Sequence, residues 1–363
     1  MTYRMIQIGL GAMGRQWCEV ALPPNIEEGL IEVVAAVDIN PAALSVAQRS
    51  LGLHPGQCYT DLHKAMAENP ADFCTIVVPP AQHEEVVDAA LAHDLHILSE
   101  KPIADTLAAS VRIAEKVTRA GVKMGVTMSH RFDQDKTSLR QELRSGRYGA
   151  LDYLVCHLTC DLRQRGSWGV FRHEIPHALM IEGAVHHLDM LADLAGAHCD
   201  TIYAQSWNPP WGEYAGDSQA LVTMQFENGS RAMFEGACTN AVGLHDWYGE
   251  TIRAECELGT LVLNGRRLER FPYDSTTQRV SKAEGEGEEV PLLQRPKWMN
   301  TWLIEQFVDW LDGGEKMETN IEDNLQSVAL IFAAIESSRT GQPVKVQELL
   351  NQAREDLQAW NLQ

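Results

Sequence analysis

The sequence is short of several things, and each shortage removes a class of protein. No apolar run approaches the ~20 residues of a membrane-spanning helix, which excludes a helical span. Basic residues are outnumbered, 30 Lys and Arg against 50 Asp and Glu, for a formal charge of −20. Nucleic acid and anionic membrane surfaces both call for a basic face, so neither is the expected partner. Eight cysteines are present, yet no two form a C-x-x-C pair. Cys18, Cys58, Cys74, Cys156, Cys160, Cys199, Cys238 and Cys256 are therefore expected as reduced thiols, several of them in apolar runs. There is no internal repeat. The first strand begins by about residue 3, which leaves no room for a signal peptide and makes the cytoplasm the expected compartment.

What is there begins at the N-terminus. The apolar run Met5, Ile6, Ile8 reads as a buried strand that enters Gly9-Leu10-Gly11-Ala12-Met13-Gly14, and a helical pattern (Trp17, Cys18, Val20, Ala21) follows. In a G-x-G-x-x-G turn each glycine has a mechanical task. Gly9 lets the chain turn off the strand, Gly11 clears the approach of a pyrophosphate, and Gly14 lets the helix pack closely. The helix start, with Ala12 and Met13, offers backbone N–H groups to phosphate. A second apolar strand, 31–37, ends in Asp38, twenty-four residues beyond Gly14. A carboxylate there accepts from a ribose 2′-hydroxyl and repels a 2′-phosphate, so the expected cofactor is NAD rather than NADP.

Strand and helix alternate up to about residue 128. Apolar runs at 31–37, 73–78, 95–98 and 122–127 are each followed by a helical segment: 41–51, 82–93, 104–120 and 132–145, with a shorter one at 61–68. That rhythm implies right-handed crossovers and a doubly wound parallel sheet, so residues 1–128 read as a dinucleotide-binding domain. Ligands in such sheets sit beyond the carboxyl ends of the strands. This singles out Val78, Pro79 and His83, then Glu100-Lys101-Pro102, then Met128 to Arg131. From about residue 150 the pattern changes to alternating stretches at 151–160, 201–207, 219–226, 230–238, 250–257 and 260–263. These are expected antiparallel strands, with Glu227-Asn228-Gly229-Ser230 as a hairpin turn. One helix, about 177–194, interrupts them. Residues 272–298, which hold Glu284-Gly285-Glu286-Gly287-Glu288-Glu289, read as a solvated loop. Helices at 300–312 and 322–340 close the pattern. The second domain is thus 129–363, with C-terminal helices free to pack back on the first.

Four features now carry a resemblance: the opening I-G-L-G-A-M-G, Glu100-Lys101-Pro102, Gly183-Ala184-Val185-His186-His187-Leu188-Asp189, and the closing Glu336 to Val344 stretch E-S-S-R-T-G-Q-P-V. With them the chain resembles, over nearly its whole length, the Gfo/Idh/MocA oxidoreductases, the glucose–fructose oxidoreductase and inositol dehydrogenase family. The resemblance implies a Rossmann domain followed by a larger, open, mainly antiparallel sheet that often forms an oligomer contact. A homodimer or homotetramer is the expectation. It also implies NAD-dependent hydride transfer involving a secondary hydroxyl of a sugar, sugar derivative or cyclitol.

That chemistry requires a base near neutral pKa within hydrogen-bond reach of the hydroxyl. His186 aligns with the family's catalytic histidine. Lys101 can stabilise alkoxide character as hydride leaves. Glu100 is expected to touch the cofactor or fix the loop. Glu182 stands where inositol dehydrogenase-like members carry aspartate; four residues before His186 on a helix, it shares a face and can orient the imidazole. Asp189, at i+3, can do so instead. Arg131, Arg163, Arg172, His173 and Trp168 are candidates to face a polyhydroxylated or anionic substrate, with Asp189. The loop Trp207 to Tyr214 suits either a sugar ring or a packing contact.

Three rival readings remain at this stage. A metal-dependent lyase would use His173, His177, Glu182 and His186, but Pro176 interrupts a continuous helix and the nucleotide turn would go unexplained, so no metal is expected. An NAD-retaining glycoside hydrolase or lyase would use the same base and cofactor through transient sugar oxidation. A non-catalytic NAD sensor would have no use for Lys101 and His186.

Overall fold

A computed structural model describes residues 1–276 and 287–361. Two compact units are present: Met1–Ser129 with Lys297–Val328 and the last helix from Gln352, and His130–Pro296 with Ala329–Asn351. Lys297–Val328 and the residues from Gln352 thus group with the N-terminal segment.

The first unit is built on six strands: β1 (Tyr3–Ile8), β2 (Ile31–Val37), β3 (Cys58–Tyr59), β4 (Phe73–Ile76), β5 (His96–Ser99) and β6 (Met124–Val126). They run in the order β3-β2-β1-β4-β5-β6, and every pairing is parallel. The order reverses between β1 and β4, the switch point at which doubly wound sheets bind nucleotides. The strands are buried on both faces, which explains their apolar runs: Met5, Ile6, Phe73, Ile76, Ile97 and Leu98 are fully enclosed. Local chemistry fixes the helices between them. Thr106 caps Leu107–Ala120 by accepting from Ala109 N at 3.2 Å, and Gly121, at φ +67°, ends it. Short β6 is completed from the far end of the chain, where Thr319 O accepts from Val126 N at 2.8 Å and Thr319 Oγ1 donates to Val126 O at 2.6 Å.

The second unit holds nine strands: β7 (Leu151–Thr159), β8 (Cys199–Trp207), β9 (Gln219–Phe226), β10 (Arg231–Ala237), β11 (Thr251–Cys256), β12 (Gly259–Asn264), β13 (Arg267–Pro272), β14 (Glu288–Glu289) and β15 (Val344–Lys345). Their order is β14-β13-β12-β11-β7-β10-β9-β8-β15. All neighbours are antiparallel except β7 and β10, which run parallel. Alternation is clean in β9, where Ala220, Val222, Met224 and Phe226 point inward and Leu221, Thr223 and Gln225 outward. The hairpin between β9 and β10 turns at Asn228-Gly229, with Gly229 at φ +89°.

Several expectations need correction. The helix expected over 177–194 begins as a π-type turn, Leu179–Ala184, and continues as the α-helix Val185–Ala195. A final helix, Val346–Asn361, follows β15 directly. Part of the stretch expected as loop carries the pairing of β14 with β13; the rest of its acidic run lies outside the described residues. No helix among the described residues is long and apolar enough to cross a membrane.

All eight cysteines are free thiols; six are buried and Cys58 and Cys256 are half-buried. Burial pushes the Cys18 and Cys74 thiols up to about 12, which suppresses the reactive thiolate. Ellman's reagent at mild alkaline pH is therefore expected to titrate Cys58 and Cys256 first, and all eight only in denaturant. Eight fast thiols in the native protein would contradict this packing.

Candidate functional site

The glycine turn follows from backbone sterics. At Gly9, φ is +90° and a β-carbon would stand 2.1 Å from the Val77 carbonyl oxygen. A β-carbon on Gly14 would meet the Gly9 carbonyl oxygen at 2.2 Å, so the helix closes onto the turn itself. Around Gly11, by contrast, there is open space. Gly11 caps the helix Ala12–Gln16 with no side chain competing for its first amides. Asp38, one residue past β2, accepts from Leu10 N at 2.7 Å and from Asn40 N at 2.8 Å. Its carboxylate thus braces the turn, and oxygen lone pairs remain for a further donor.

The turn after β5 is braced in a similar way. Glu100 accepts from Trp17 Nε1 at 2.8 Å and from Asn300 Nδ2 at 3.3 Å. Of its two expected roles the geometry supplies loop fixation, which holds Lys101 at the sheet's carboxyl edge. The Lys101–Pro102 peptide is cis, and Lys101 is 8% exposed. His83, expected at the cofactor, is instead buried, with Nδ1 3.1 Å from Ile103 O and Nε2 2.8 Å from Val78 O. A neutral imidazole donates to one of these two carbonyls. Val78 and Pro79 sit on the open loop after β4.

In the second unit the helix Val185–Ala195 brings His186, His187 and Asp189 inward. His186 is 6% exposed and lies face-on against His130, with centroids 4.3 Å apart and planes 25° apart. Trp168 and Trp247 lie 5.1 Å apart, and Trp247 meets His130 edge-on at 6.2 Å. Both indoles reach this helix because residue 183 is glycine; a β-carbon there would stand 3.2 Å from Trp168 and 3.3 Å from Trp247. Both indoles thus belong to the aromatic cluster that contains His130 and His186.

Other expected substrate contacts have different partners. Arg131 and Asp189 form a bidentate pair, Nε and Nη2 each 2.6 Å from a carboxylate oxygen, almost wholly buried. Each is thus a partner for the other that helical spacing alone does not reveal. Glu182, expected to orient His186, accepts from Arg172 Nε at 2.9 Å. Arg172 is sandwiched between the rings of Trp168 and Phe171, and it donates to Trp168 O at 3.0 Å. Glu182 lies in the π-type turn and His186 in the α-helix that follows it, so ideal i,i+4 spacing does not describe their separation. His173 is buried and stacked on Tyr214 at 4.1 Å. Arg163 spans Asp161 and Thr239 O. The loop Trp207 to Tyr214 packs locally, with Trp211 Nε1 donating to Thr239 O and Tyr214 OH to Leu162 O.

Sequence reasoning passed over the polar floor of this unit. Lys136, 1% exposed, places Nζ 3.5 Å from Asp133, 3.2 Å from Asp135 and 3.2 Å from Glu250, and donates to Tyr248 O at 2.6 Å. Burial opposes its charge, but Glu250, Asp135 and Asp133 outweigh that, and its pKa is raised. Burial pushes the pKa values of both His130 and His187 below the ordinary histidine range. The available signal was Asp133-Gln134-Asp135-Lys136, a charge run that reads as a solvated face until the helix is placed.

The doubly wound sheet, its glycine turn and the carboxylate closing β2 define an NAD-binding oxidoreductase fold. More particularly, the chain belongs to the Gfo/Idh/MocA oxidoreductase family: residues 3–128 match its NAD-binding Rossmann-fold domain and residues 140–346 its C-terminal alpha/beta domain. The chain is 52% identical over 354 residues to the uncharacterized protein y4oX of Sinorhizobium fredii, covering 98% of each. It is 27% identical to the inositol 2-dehydrogenase of Corynebacterium glutamicum over 63% of this chain and 65% of that one. Its fold is similar to that of the WlbA dehydrogenase from Bordetella pertussis, crystallised with NADH and UDP-GlcNAcA: TM-score 0.77 at 18% identity, covering 95% of this chain and 99% of that one.

One ionisable pair gives a signed pH prediction. The hydrogen bond from His177 to Asp217, at 3.2 Å, raises the His177 pKa above 6.5 despite part burial. A raised folded pKa contributes stability that is complete below the unfolded value and lost as pH rises through the folded one. The melting-temperature cost of His177→Gln is thus expected to be largest below pH 6.5 and to shrink above the folded pKa. A cost that grows with pH would reverse the assignment.

Proposed function

We propose that this protein is an NAD-dependent dehydrogenase acting on a secondary hydroxyl of a sugar, sugar derivative or cyclitol. The observation that carries the reading is His186, a buried imidazole held face-on by His130 beside two indoles, at the position the family uses for its base. His186 takes the hydroxyl proton as hydride leaves the carbon for nicotinamide. Lys101 stabilises the oxygen's developing charge. Glu182 holds Arg172 at the rim of the aromatic cluster, and Arg172 is the polar contact offered to the substrate. Gly9, Gly11, Ala12, Met13 and Gly14 receive the dinucleotide, and Asp38 selects NAD over NADP. The inositol dehydrogenase among the relatives and the sugar nucleotide bound by WlbA support the substrate class.

His186→Ala and Lys101→Ala are each expected to lower kcat by about 10²- to 10⁴-fold with little change in NAD affinity. A panel of inositols and sugars followed at the NADH absorbance band reads this directly. NADP preferred over NAD would remove the Asp38 argument. Turnover that consumes substrate with no NADH accumulating would replace net oxidation with an NAD-retaining reaction.

The outer face of the second sheet supports a homodimer or homotetramer. Trp207, Leu221 and Met233 are exposed there, beside a groove of about 600 Å³ lined by Tyr153, Tyr203 and Thr223. Leu221→Asp with Met233→Asp is expected to lower the mass measured by light scattering to that of one chain. An unchanged mass would place any interface elsewhere. The free thiols suit a reducing compartment, and the cytoplasm is the location we assign.

A further inference from the structure

We propose that His130, His187 and Glu250 form a binding site for a divalent transition-metal ion, zinc foremost, one imidazole removed from His186. The three residues come from separate elements: the turn Ser129–Phe132, the helix Val185–Ala195 and the residue before β11. Each offers a ligand atom, and these atoms all lie within 4.8 Å of one another. All three residues are at most 1% exposed.

Their lone pairs point to a missing occupant. His187 Nδ1 stands 3.1 Å from Gly183 O, which makes that nitrogen the donor and leaves Nε2 as the lone-pair atom. Nε2 is 3.9 Å from Glu250 Oε1, and neither atom makes a hydrogen bond. Neither ring nitrogen of His130 closes a hydrogen bond of normal geometry, although the Trp247 backbone lies close. Buried polar atoms left in this state are costly, and their convergence from three elements is hard to explain as packing.

Charge and ligand type agree. Lys136 and Arg266 face three carboxylates, Asp133, Asp135 and Glu250, so the floor carries a net negative charge with neutral histidines. Glu250 Oε2 lies 3.2 Å from Lys136 Nζ as an ion pair without hydrogen-bond geometry, and Oε1 lies toward His187. Two imidazoles and one carboxylate are a zinc-type donor set, whereas calcium and magnesium take oxygen ligands. Bonds of about 2.0–2.2 Å require the side chains to close inward on the ion. The quartet weighed from the sequence is a different one, and the structure disperses it: His173 stacks on Tyr214, His177 bonds Asp217 and Glu182 bonds Arg172. Here the ion is a positioning element. It fixes the His130 ring on which His186 rests, and its presence is independent of the hydride-transfer reading.

The test is metal content by mass spectrometry after full-length protein is stripped with chelator, reloaded with zinc or cobalt(II) and dialysed. About one equivalent is expected in the wild type and in the surface control His63→Ala, and less than about a tenth in Glu250→Gln and in His130→Asn. Cobalt-loaded wild type is expected to show the visible bands of a four-coordinate site, and a zinc-soaked crystal an anomalous peak between the three side chains. Crystal and cobalt spectrum decide the matter even if the variants do not fold. A wild type that retains no ion, or variants that retain a full equivalent, overturns the site; in the first case the histidine–glutamate contact holds a proton instead.

Discussion

The paired charges of Arg131 and Asp189 are the constraint on which the second unit's chemistry depends. Two N–H groups meet two carboxylate oxygens at 2.6 Å in a nearly dry environment. A buried pair of this kind adds little net stability but is costly to break, so it selects one arrangement of its two elements. Those elements are the turn bearing His130 and the helix bearing His186 and His187. Fixing their register sets the face-on contact of His130 with His186.

The nucleotide turn depends on the opposite kind of device, absence of side chains. Gly9 and Gly14 are required by carbonyl oxygens about 2 Å from where their β-carbons would be. Such requirements are local, which is why this region was readable in the residues alone. Spacing, flanking strand and closing carboxylate all express one short-range geometry, and parallel strands buried on both faces announce themselves as apolar runs.

Long-range pairing was not readable. Asp189 shares a helical face with His186, yet the Arg131 that pairs with it lies 58 residues earlier in the chain, which no spacing rule reveals. Glu182 meets Arg172 from a π-type turn, an element that an i,i+4 rule does not describe. His83 was placed by its position after a strand, with nothing in the sequence to show two backbone carbonyls awaiting its ring. Two-residue strands such as β3, β14 and β15 are too short to carry a period. The final helix was hidden because it starts directly from one of them, with no separating turn.

The return of the chain's end has a consequence for biosynthesis. Val126 at the sheet edge of the first unit is bonded by Thr319, and Ala204 in the second is bonded by Ser337, whose hydroxyl accepts its N–H at 3.0 Å. A ribosome working from the amino end releases both residues late. Neither unit reaches its finished hydrogen-bond complement until these residues, made long after the strands they bond, have been synthesised.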